Sequence, residues 1–164
     1  TDVLLKVDDG RKFIVLDIDH TILECTSIRH NDIRPYTTFY FISEFLHIYV
    51  RPGFEEFIRK INDNGYEIII YTAASGKYAY KIIDLLGLMP YSVLHDIHLD
   101  SDGNKDLTLV RDILNLKNNY MIVIDDVLFN YSENAILSKY HKIHYIKPWY
   151  FTMLNDNELE KLRI

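Results

Sequence analysis

Residues 13–21 read FIVLDIDHT, an apolar run that ends in two aspartates. Residues 13–16 are apolar without alternation, which is typical of a strand covered on both faces of a parallel sheet. Asp17 and Asp19 follow this run at once. Because ligands of an open α/β sheet bind outside the carboxyl ends of its strands, this strand end is a candidate site.

Three further segments have the length and apolar composition of strands, at residues 67–71, 121–124 and 142–146. Apolar residues at helical spacing lie between and after them, at residues 53–64, 77–86, 107–116 and 155–162. Strands that alternate with helices predict an α/β fold, with a central, mostly parallel sheet flanked by helices. The length of 164 residues fits a single domain, residues 1–164.

Two intervals interrupt the alternation and predict small insertions. Residues 23–51 carry β-branched and aromatic residues without a helical period, so we expect a β-hairpin after the first strand. Residues 93–106 alternate polar and apolar around Asp102-Gly103, a pair common in hairpin turns, and predict a second hairpin. Residues 3–7, followed by Asp9-Gly10, predict another hairpin that leads into the first long strand.

The composition excludes several classes of protein. The chain is 48% apolar and 26% charged, as in soluble globular proteins, and no apolar run approaches the ~20 residues that span a membrane. The net charge of −6 argues against an extensive nucleic-acid surface, and we interpret Arg51, Arg59 and Lys60 as a solvated helix face. The single Cys25 favours a reducing compartment inside the cell, with nucleus or cytoplasm left open. We expect no signal peptide, and a monomer is favoured.

Polar residues recur where other elements of the predicted fold end or begin. Thr72 follows the second strand, Lys105 precedes the third helix, and Asp125-Asp126 closes the next strand. Each has a structural explanation by itself, such as a helix cap, a turn or a solvated lysine. Together they predict four carboxylates at one sheet edge, which is unfavourable unless a cation compensates them.

This set of residues is suited to phosphate chemistry with a metal ion. Mg²⁺ prefers oxygen ligands and is commonly held by one or two carboxylates together with phosphate. Asp17 could attack phosphorus to form an aspartyl-phosphate, while Asp19 protonates the leaving oxygen and later activates water. Thr72, the adjacent backbone N–H groups, such as that of Ala73, and Lys105 would hold the phosphoryl oxygens.

The ordered motifs Asp17-Ile-Asp-His-Thr21, Thr72, Lys105 and Asp125-Asp126 resemble the four motifs of the haloacid dehalogenase (HAD) superfamily of phosphotransferases. Additional stretches resemble one branch, the FCP/SCP-like phosphatases that act on the C-terminal domain (CTD) of RNA polymerase II. These stretches are residues 50–53 with 56–57, 71–73 with 77–79 and 84–86, 105–108 with 111–112, 134–136, 148–149 and 157–159. The resemblance therefore extends over nearly the whole chain.

The resemblance implies a Rossmann-like HAD fold and a Mg²⁺-dependent phosphatase with Asp17 as nucleophile and Asp19 as acid/base. It also implies that Asp17, the backbone carbonyl of Asp19 and the Asp125-Asp126 pair hold the metal. Which member of that pair is the direct ligand stays open. The intervals from Asp17 to Thr72 and from Thr72 to Lys105 are too short for a large cap domain. We therefore expect an open site, which suits a phosphorylated segment of a larger molecule.

Some positions depart from the branch. His20, Ala74 and Asp126 stand where its members usually have Glu, Ser and Asn. The acidic segment 95–102 differs from the basic and apolar contacts of relatives that bind polymerase repeats, which weakens the case for that substrate. We interpret His95 and His98 as exposed hairpin residues rather than a second metal site, His20 as a tolerated variable position, and Trp149 as a packing residue.

The expected activity is hydrolysis of phosphoserine or phosphothreonine in a phosphorylated protein or peptide. One alternative keeps the chemistry and changes the substrate to a small metabolite or a nucleic-acid 3′-phosphate. The other alternative is a catalytically silent phosphoprotein-binding module, similar to relatives that serve as receptors in mitochondrial protein import. That alternative predicts the loss of a catalytic position, whereas all of them are present here.

Overall fold

The fold is described from a computed structural model for residues 10–116, 119–127 and 141–164. The strand expected at residues 3–7 and the motif at 134–136 lie outside the described residues. The strands are β1 (Lys12–Leu16), β2 (Leu23–Thr26), β3 (Thr37–Phe41), β4 (Glu44–Val50), β5 (Tyr66–Tyr71), β6 (Ser92–Leu94), β7 (Met121–Asp125) and β8 (His141–Tyr145). The α-helices are α1 (Phe54–Asp63), α2 (Gly76–Leu86), α3 (Leu107–Ile113) and α4 (Glu158–Lys161), and a 3₁₀ turn spans Asp96–His98.

The central sheet has five strands in the order β6-β5-β1-β7-β8, and all its pairs are parallel. This arrangement confirms the predicted α/β fold. β1 lies in the middle, and its side chains alternate between two apolar clusters: Ile14 and Leu16 face one, Phe13 and Val15 the other. Because both faces are covered, the strand is apolar at every position from 13 to 16.

The first insertion is larger than the single hairpin expected at residues 23–51. It is a three-stranded antiparallel sheet in the order β2-β4-β3. β3 and β4 do form a hairpin, whose turn residues Ile42 and Ser43 both have positive φ, the pattern of a two-residue type I′ turn. β2 then pairs with the other edge of β4, so that Cys25 lies opposite Ile48.

The second hairpin, expected at residues 93–106, does not form. Val93 and Leu94 instead pair in parallel with Ile70 and Tyr71, which adds β6 to the edge of the central sheet. The Asp102-Gly103 signal marks a compact turn, in which the Asp100 side chain accepts hydrogen bonds from the N–H groups of residues 102 and 104. The alternating pattern therefore reflected an edge strand and a turn.

Helix ends differ from the predicted bounds where local hydrogen bonding stops. α3 ends at Ile113, before Asn115 with its φ of 55°, and α4 spans only Glu158–Lys161. Among the described residues, no helix is long and apolar enough to cross a membrane.

The strand order determines where the site lies. β5, β1 and β7 are neighbours, so their carboxyl ends bring residues 72, 17 and 125–126 to one edge of the sheet. The stretch from residue 17 to 105 is fully described. It contains the inserted sheet, α1, β5, α2, β6 and the 3₁₀ turn, which confirms that no large cap domain is present there.

Candidate active site

Asp17 occupies the first position after β1, and both of its carboxylate oxygens are fixed. Its backbone N–H donates to the carbonyl of Ile124, which continues the sheet ladder past the strand end. The Thr21 hydroxyl donates to Oδ2 at 2.8 Å, and the Lys105 ammonium donates to Oδ1 at 2.9 Å. The side chain is almost fully buried, with 6% exposed.

Lys105 is buried between two carboxylates, with Nζ 2.9 Å from Asp17 and 2.6 Å from Asp125. Burial alone lowers its pKa, but attraction by Asp17 and Asp125 outweighs burial and raises the pKa overall. The Tyr71 ring lies 5.7 Å from Nζ, and its hydroxyl accepts the Asp106 N–H at 3.1 Å. Asp106 in turn caps α3 through the N–H of Thr108, so Lys105 is held by the start of that helix.

Three carboxylates lie close enough to share a cation. Asp17, Asp125 and Asp126 can each offer an oxygen, and these atoms lie within 4.8 Å of one another. Burial raises the pKa of Asp17 to about 6, although Lys105 opposes the rise. Burial and the charge of Asp17 likewise raise the pKa of Asp125. Three carboxylates around one ammonium leave a buried negative charge, and an all-oxygen donor set of this kind fits Mg²⁺.

The two members of the acidic pair differ in their surroundings. Asp125 is completely buried; Oδ2 accepts from Lys105 and Oδ1 accepts the Val127 N–H at 3.1 Å. Asp126 is half-buried, and its Oδ1 lies 3.2 Å from the Thr21 hydroxyl, whose single proton it shares with Asp17. Asp126 therefore faces the more accessible side of the cluster.

The Asp19 carboxylate does not belong to this cluster. Its Oδ1 accepts a hydrogen bond of 2.6 Å from the hydroxyl of Tyr78, on the first turn of α2. Burial raises the pKa of Asp19, and the Tyr78 hydrogen bond opposes this rise. No local sequence pattern indicates a role for Tyr78, because its contact with Asp19 joins residues 59 positions apart.

The segment after β5 presents a backbone N–H group. The Thr72 N–H donates to the Leu94 carbonyl at 3.1 Å, and the Thr72 hydroxyl accepts the Ala74 N–H at 3.1 Å. Within the described part of the chain, no acceptor is recorded for the N–H of the exposed Ala73. Ser75 then caps α2 by accepting the Tyr78 N–H. Thr72 and Ala73 thus lie at the same edge of the sheet as Asp17, and their role in phosphate binding stays a prediction.

His20 has a structural role that the sequence did not indicate. Its φ is 63°, and its Nδ1 lies 2.9 Å from the carbonyl oxygen of Trp149. The Trp149 N–H donates back to the His20 carbonyl at 2.8 Å. Trp149 itself is buried against Tyr49 and Phe151, as expected for a packing residue. These contacts tie the loop after Asp19 to the C-terminal segment.

The interpretation of Arg51 as a solvated residue is wrong. Its side chain is buried and forms a 2.7 Å ion pair with Asp156. Its guanidinium also donates to the carbonyls of Thr21 at 3.0 Å and Lys147 at 2.7 Å. A planar group with several donors can join three chain segments in this way, and no local sequence pattern reveals that role.

His98 is the last residue of the 3₁₀ turn and His95 directly precedes it, so neither lies on a hairpin. The His98 Nδ1 accepts the His95 N–H at 2.9 Å, and the His95 Nδ1 lies 2.9 Å from an oxygen of Asp96. In the described ranges, the group of residues that could hold a metal includes neither histidine. The Nδ1 atom of each ring thus takes part in a hydrogen bond within this segment.

Comparisons with known proteins place these features in a family context. A 161-residue alignment with an uncharacterized protein of Schizosaccharomyces pombe has 27% identity and covers 95% of this chain and 47% of that protein. A CTD small phosphatase-like protein 2 of Dictyostelium discoideum is 33% identical over 110 residues, 61% of this chain and 19% of that protein. The chain therefore spans less than half the length of either relative.

Two solved structures of Fcp1, an RNA polymerase II CTD phosphatase, share the fold. The fission yeast protein with beryllium fluoride bound matches 93% of this chain and 48% of its own, with a TM-score of 0.63 and 22% identity. A second Fcp1 structure matches 91% of this chain and 45% of its own, with a TM-score of 0.62 and 22% identity. These matches confirm the HAD-type fold. The model of the NLI interacting factor-like phosphatases matches residues 12–163, and the chain therefore belongs to this family of FCP/SCP-like phosphatases.

Proposed function

We propose that the chain is a Mg²⁺-dependent protein phosphatase that hydrolyses phosphoserine or phosphothreonine through an aspartyl-phosphate. The observation that carries this proposal is the placement of Asp17. Its carboxylate is held by Lys105 and Thr21 and lies beside the Asp125-Asp126 pair at the edge of the sheet. Asp19 lies two residues away with its carboxylate outside the acidic cluster, so the two aspartates can have different roles.

In the first step, an Asp17 oxygen attacks phosphorus and the bond to the leaving oxygen breaks. Asp19 gives its proton to that oxygen, so the alcohol leaves as a neutral molecule. In the second step, Asp19 takes a proton from water, and the water oxygen attacks the phosphorus of the aspartyl-phosphate. Inorganic phosphate leaves, and Asp17 returns as a carboxylate.

The chain's own groups would hold the phosphoryl oxygens during both steps. The Lys105 ammonium already contacts Asp17, so it is close to any phosphoryl group that Asp17 accepts. The Ala73 N–H and the Thr72 hydroxyl lie at the end of the neighbouring strand and supply further donors. Fixed donors of this kind stabilise the charge that develops on the equatorial oxygens.

Mg²⁺ would be held by Asp17, the backbone carbonyl of Asp19 and the acidic pair. Asp125 is completely buried against Lys105, whereas Asp126 is half-buried on the more accessible side of the cluster, so we propose Asp126 as the direct ligand of the pair. When bound, the ion supplies positive charge that keeps Asp17 ionised and offsets repulsion from the phosphate.

The proposed substrate class follows from the openness of the site. The stretch between Asp17 and Lys105 carries no separate domain over the sheet edge, and Ala73 is exposed. A phosphorylated protein segment can reach such a site, whereas small substrates are usually enclosed. CTD phosphatases are among the relatives, so polymerase repeats are one candidate substrate. A metabolite or a 3′-phosphate end is the alternative with the same chemistry.

The activity is tested by phosphate release from p-nitrophenyl phosphate, with and without Mg²⁺. We expect turnover that needs Mg²⁺, disappears with EDTA, and is lost in Asp17→Asn. Asp84→Asn, which changes an exposed carboxylate on α2, is the matched control and should keep wild-type activity. A folded wild-type protein that is inactive with every divalent metal would refute the proposal.

The substrate class is tested separately. Matched panels of phosphoserine and phosphothreonine peptides, including polymerase CTD repeats, are compared with sugar phosphates, nucleotides and 3′-phosphorylated oligonucleotides. We expect higher kcat/KM for peptides. A preference for a metabolite or an oligonucleotide would keep the chemistry and replace the substrate.

A further inference from the structure

Tyr78 makes the closest contact with the side chain of Asp19. Its hydroxyl donates to Oδ1 at 2.6 Å, and within the described residues no second hydrogen bond to this carboxylate is recorded. Oδ1 is therefore engaged, and Oδ2 is left as the oxygen that can exchange a proton with a substrate. An aspartate at a strand end otherwise samples several side-chain rotamers.

Tyr78 is itself held from two sides. Its backbone N–H donates to the Ser75 cap at the start of α2, which fixes the first turn of the helix. Its ring meets the Phe41 ring edge-on, with centroids 6.1 Å apart. Phe41 belongs to β3 of the inserted sheet, and both rings pack on the same apolar cluster. The inserted sheet thus supports the tyrosine that contacts Asp19.

We propose that Tyr78 is a positioning residue: its hydroxyl holds the Asp19 carboxyl so that Oδ2 is presented to the leaving oxygen, and Phe41 of the inserted sheet keeps the tyrosine in place. The inference rests on the proposed function, because it assigns Tyr78 to the residue that acts there as acid and base. It also gives the insertion a role in catalysis.

The consequence depends on the leaving group. A serine alkoxide is a poor leaving group and needs a proton as the phosphorus–oxygen bond breaks, whereas p-nitrophenolate leaves without one. A misplaced acid therefore slows the first reaction and spares the second. A displacement of about 1 Å can cost roughly 100-fold in rate, and we expect about 10- to 100-fold for a carboxyl that has lost its hydrogen-bond donor.

The experiment compares the wild type, Tyr78→Phe and Asp19→Asn on a phosphoserine peptide and on a series of aryl phosphates with leaving groups of increasing basicity. The quantity measured is kcat/KM, which reports the steps up to aspartyl-phosphate formation. Tyr80→Phe removes the hydroxyl of an exposed tyrosine on the same helix and is the matched control.

For Tyr78→Phe we expect kcat/KM to fall about 10- to 100-fold on the phosphopeptide, through kcat, and less than about 3-fold on p-nitrophenyl phosphate. The dependence on leaving-group basicity should steepen in the same direction as in Asp19→Asn, and the Tyr80→Phe control should match the wild type. Phe41→Leu should give a smaller change of the same kind.

Two results would overturn this inference and leave the proposed function intact. One is a Tyr78→Phe variant with the wild-type dependence on the leaving group while Asp19→Asn steepens it. The other is a loss that is equal on all substrates or is carried by KM, which would make Tyr78 a structural or substrate-contacting residue. A wild type without turnover, or an Asp19→Asn variant with unchanged dependence, would instead overturn the proposed function and this inference with it.

Discussion

Replacing Asp17 by asparagine should stabilise the metal-free protein, by an amount that grows as the pH rises. Burial raises the pKa of Asp17 from its ordinary value of 3.8 to about 6. The folded state therefore binds a proton more tightly than the unfolded chain does. Stability from this group is present at low pH and is lost as the pH rises towards 6. Asparagine does not titrate, so the variant lacks this loss.

The magnitude follows from the same numbers. One pKa unit corresponds to ~1.4 kcal/mol, so a rise from 3.8 to about 6 corresponds to about 3 kcal/mol between pH 4 and pH 7. For a chain of this size that is a difference of about 6 to 12 °C in Tm. The Asp17 charge also raises the pKa of Asp19 and Asp125. Its removal lowers both of these pKa values, which adds to the stabilisation of the variant at higher pH.

The assay is thermal and urea unfolding in EDTA, at several pH values from 4 to 8, for the wild type, Asp17→Asn and the exposed-carboxylate control Asp84→Asn. The free energy of unfolding of Asp17→Asn minus that of the wild type should increase with pH and level off above pH 7. The corresponding difference for the control should be flat. A flat or falling difference for Asp17→Asn would show that burial does not raise the pKa of this carboxylate. The description of the acidic cluster would then be wrong.

Other variants test the remaining contacts of the site. Lys105→Met leaves the buried Asp17 and Asp125 without their ammonium partner. In the absence of metal, this should lower the free energy of unfolding by about 3 to 5 kcal/mol. Added Mg²⁺ should restore part of the loss. An unchanged urea midpoint would contradict this. Arg51→Ala leaves Asp156 unpaired and should cost a similar about 3 to 5 kcal/mol, measured by urea unfolding. Arg51→Lys should recover only part of this free energy, because an ammonium cannot replace the several donors of a planar guanidinium. Full recovery would contradict the geometry described for Arg51.

The strand ends were predictable because they follow from local patterns. The continuous apolar run at residues 13–16 marks a strand buried on both faces, and the position of Asp17 after it follows from chain order alone. Parallel strands present their carboxyl ends at one edge of the sheet. The proximity of Thr72 and Asp125 to Asp17 could therefore be predicted without knowledge of any tertiary contact.

The features that were missed or misinterpreted depend on contacts between distant residues. Val93 alternates with its neighbours as a hairpin strand would, but its partner is Ile70 on the central sheet. Arg51 looks like one of several surface cations until the C-terminal segment brings Asp156 to it. The contact between Tyr78 and Asp19 joins the start of α2 to the loop after β1, two segments that are far apart in the chain. Such pairings are decided by tertiary packing, which leaves no period in the sequence.

The most direct test of Asp17 as the nucleophile is a crystal structure of the protein with Mg²⁺ and beryllium fluoride, a mimic of a phosphoryl group on a carboxylate. We expect beryllium bonded to an oxygen of Asp17, fluorides contacting Lys105 and the Ala73 N–H, and Mg²⁺ bound by Asp17 and Asp126. Beryllium fluoride attached to another residue, or absent from Asp17 while Mg²⁺ is bound, would contradict the aspartyl-phosphate mechanism.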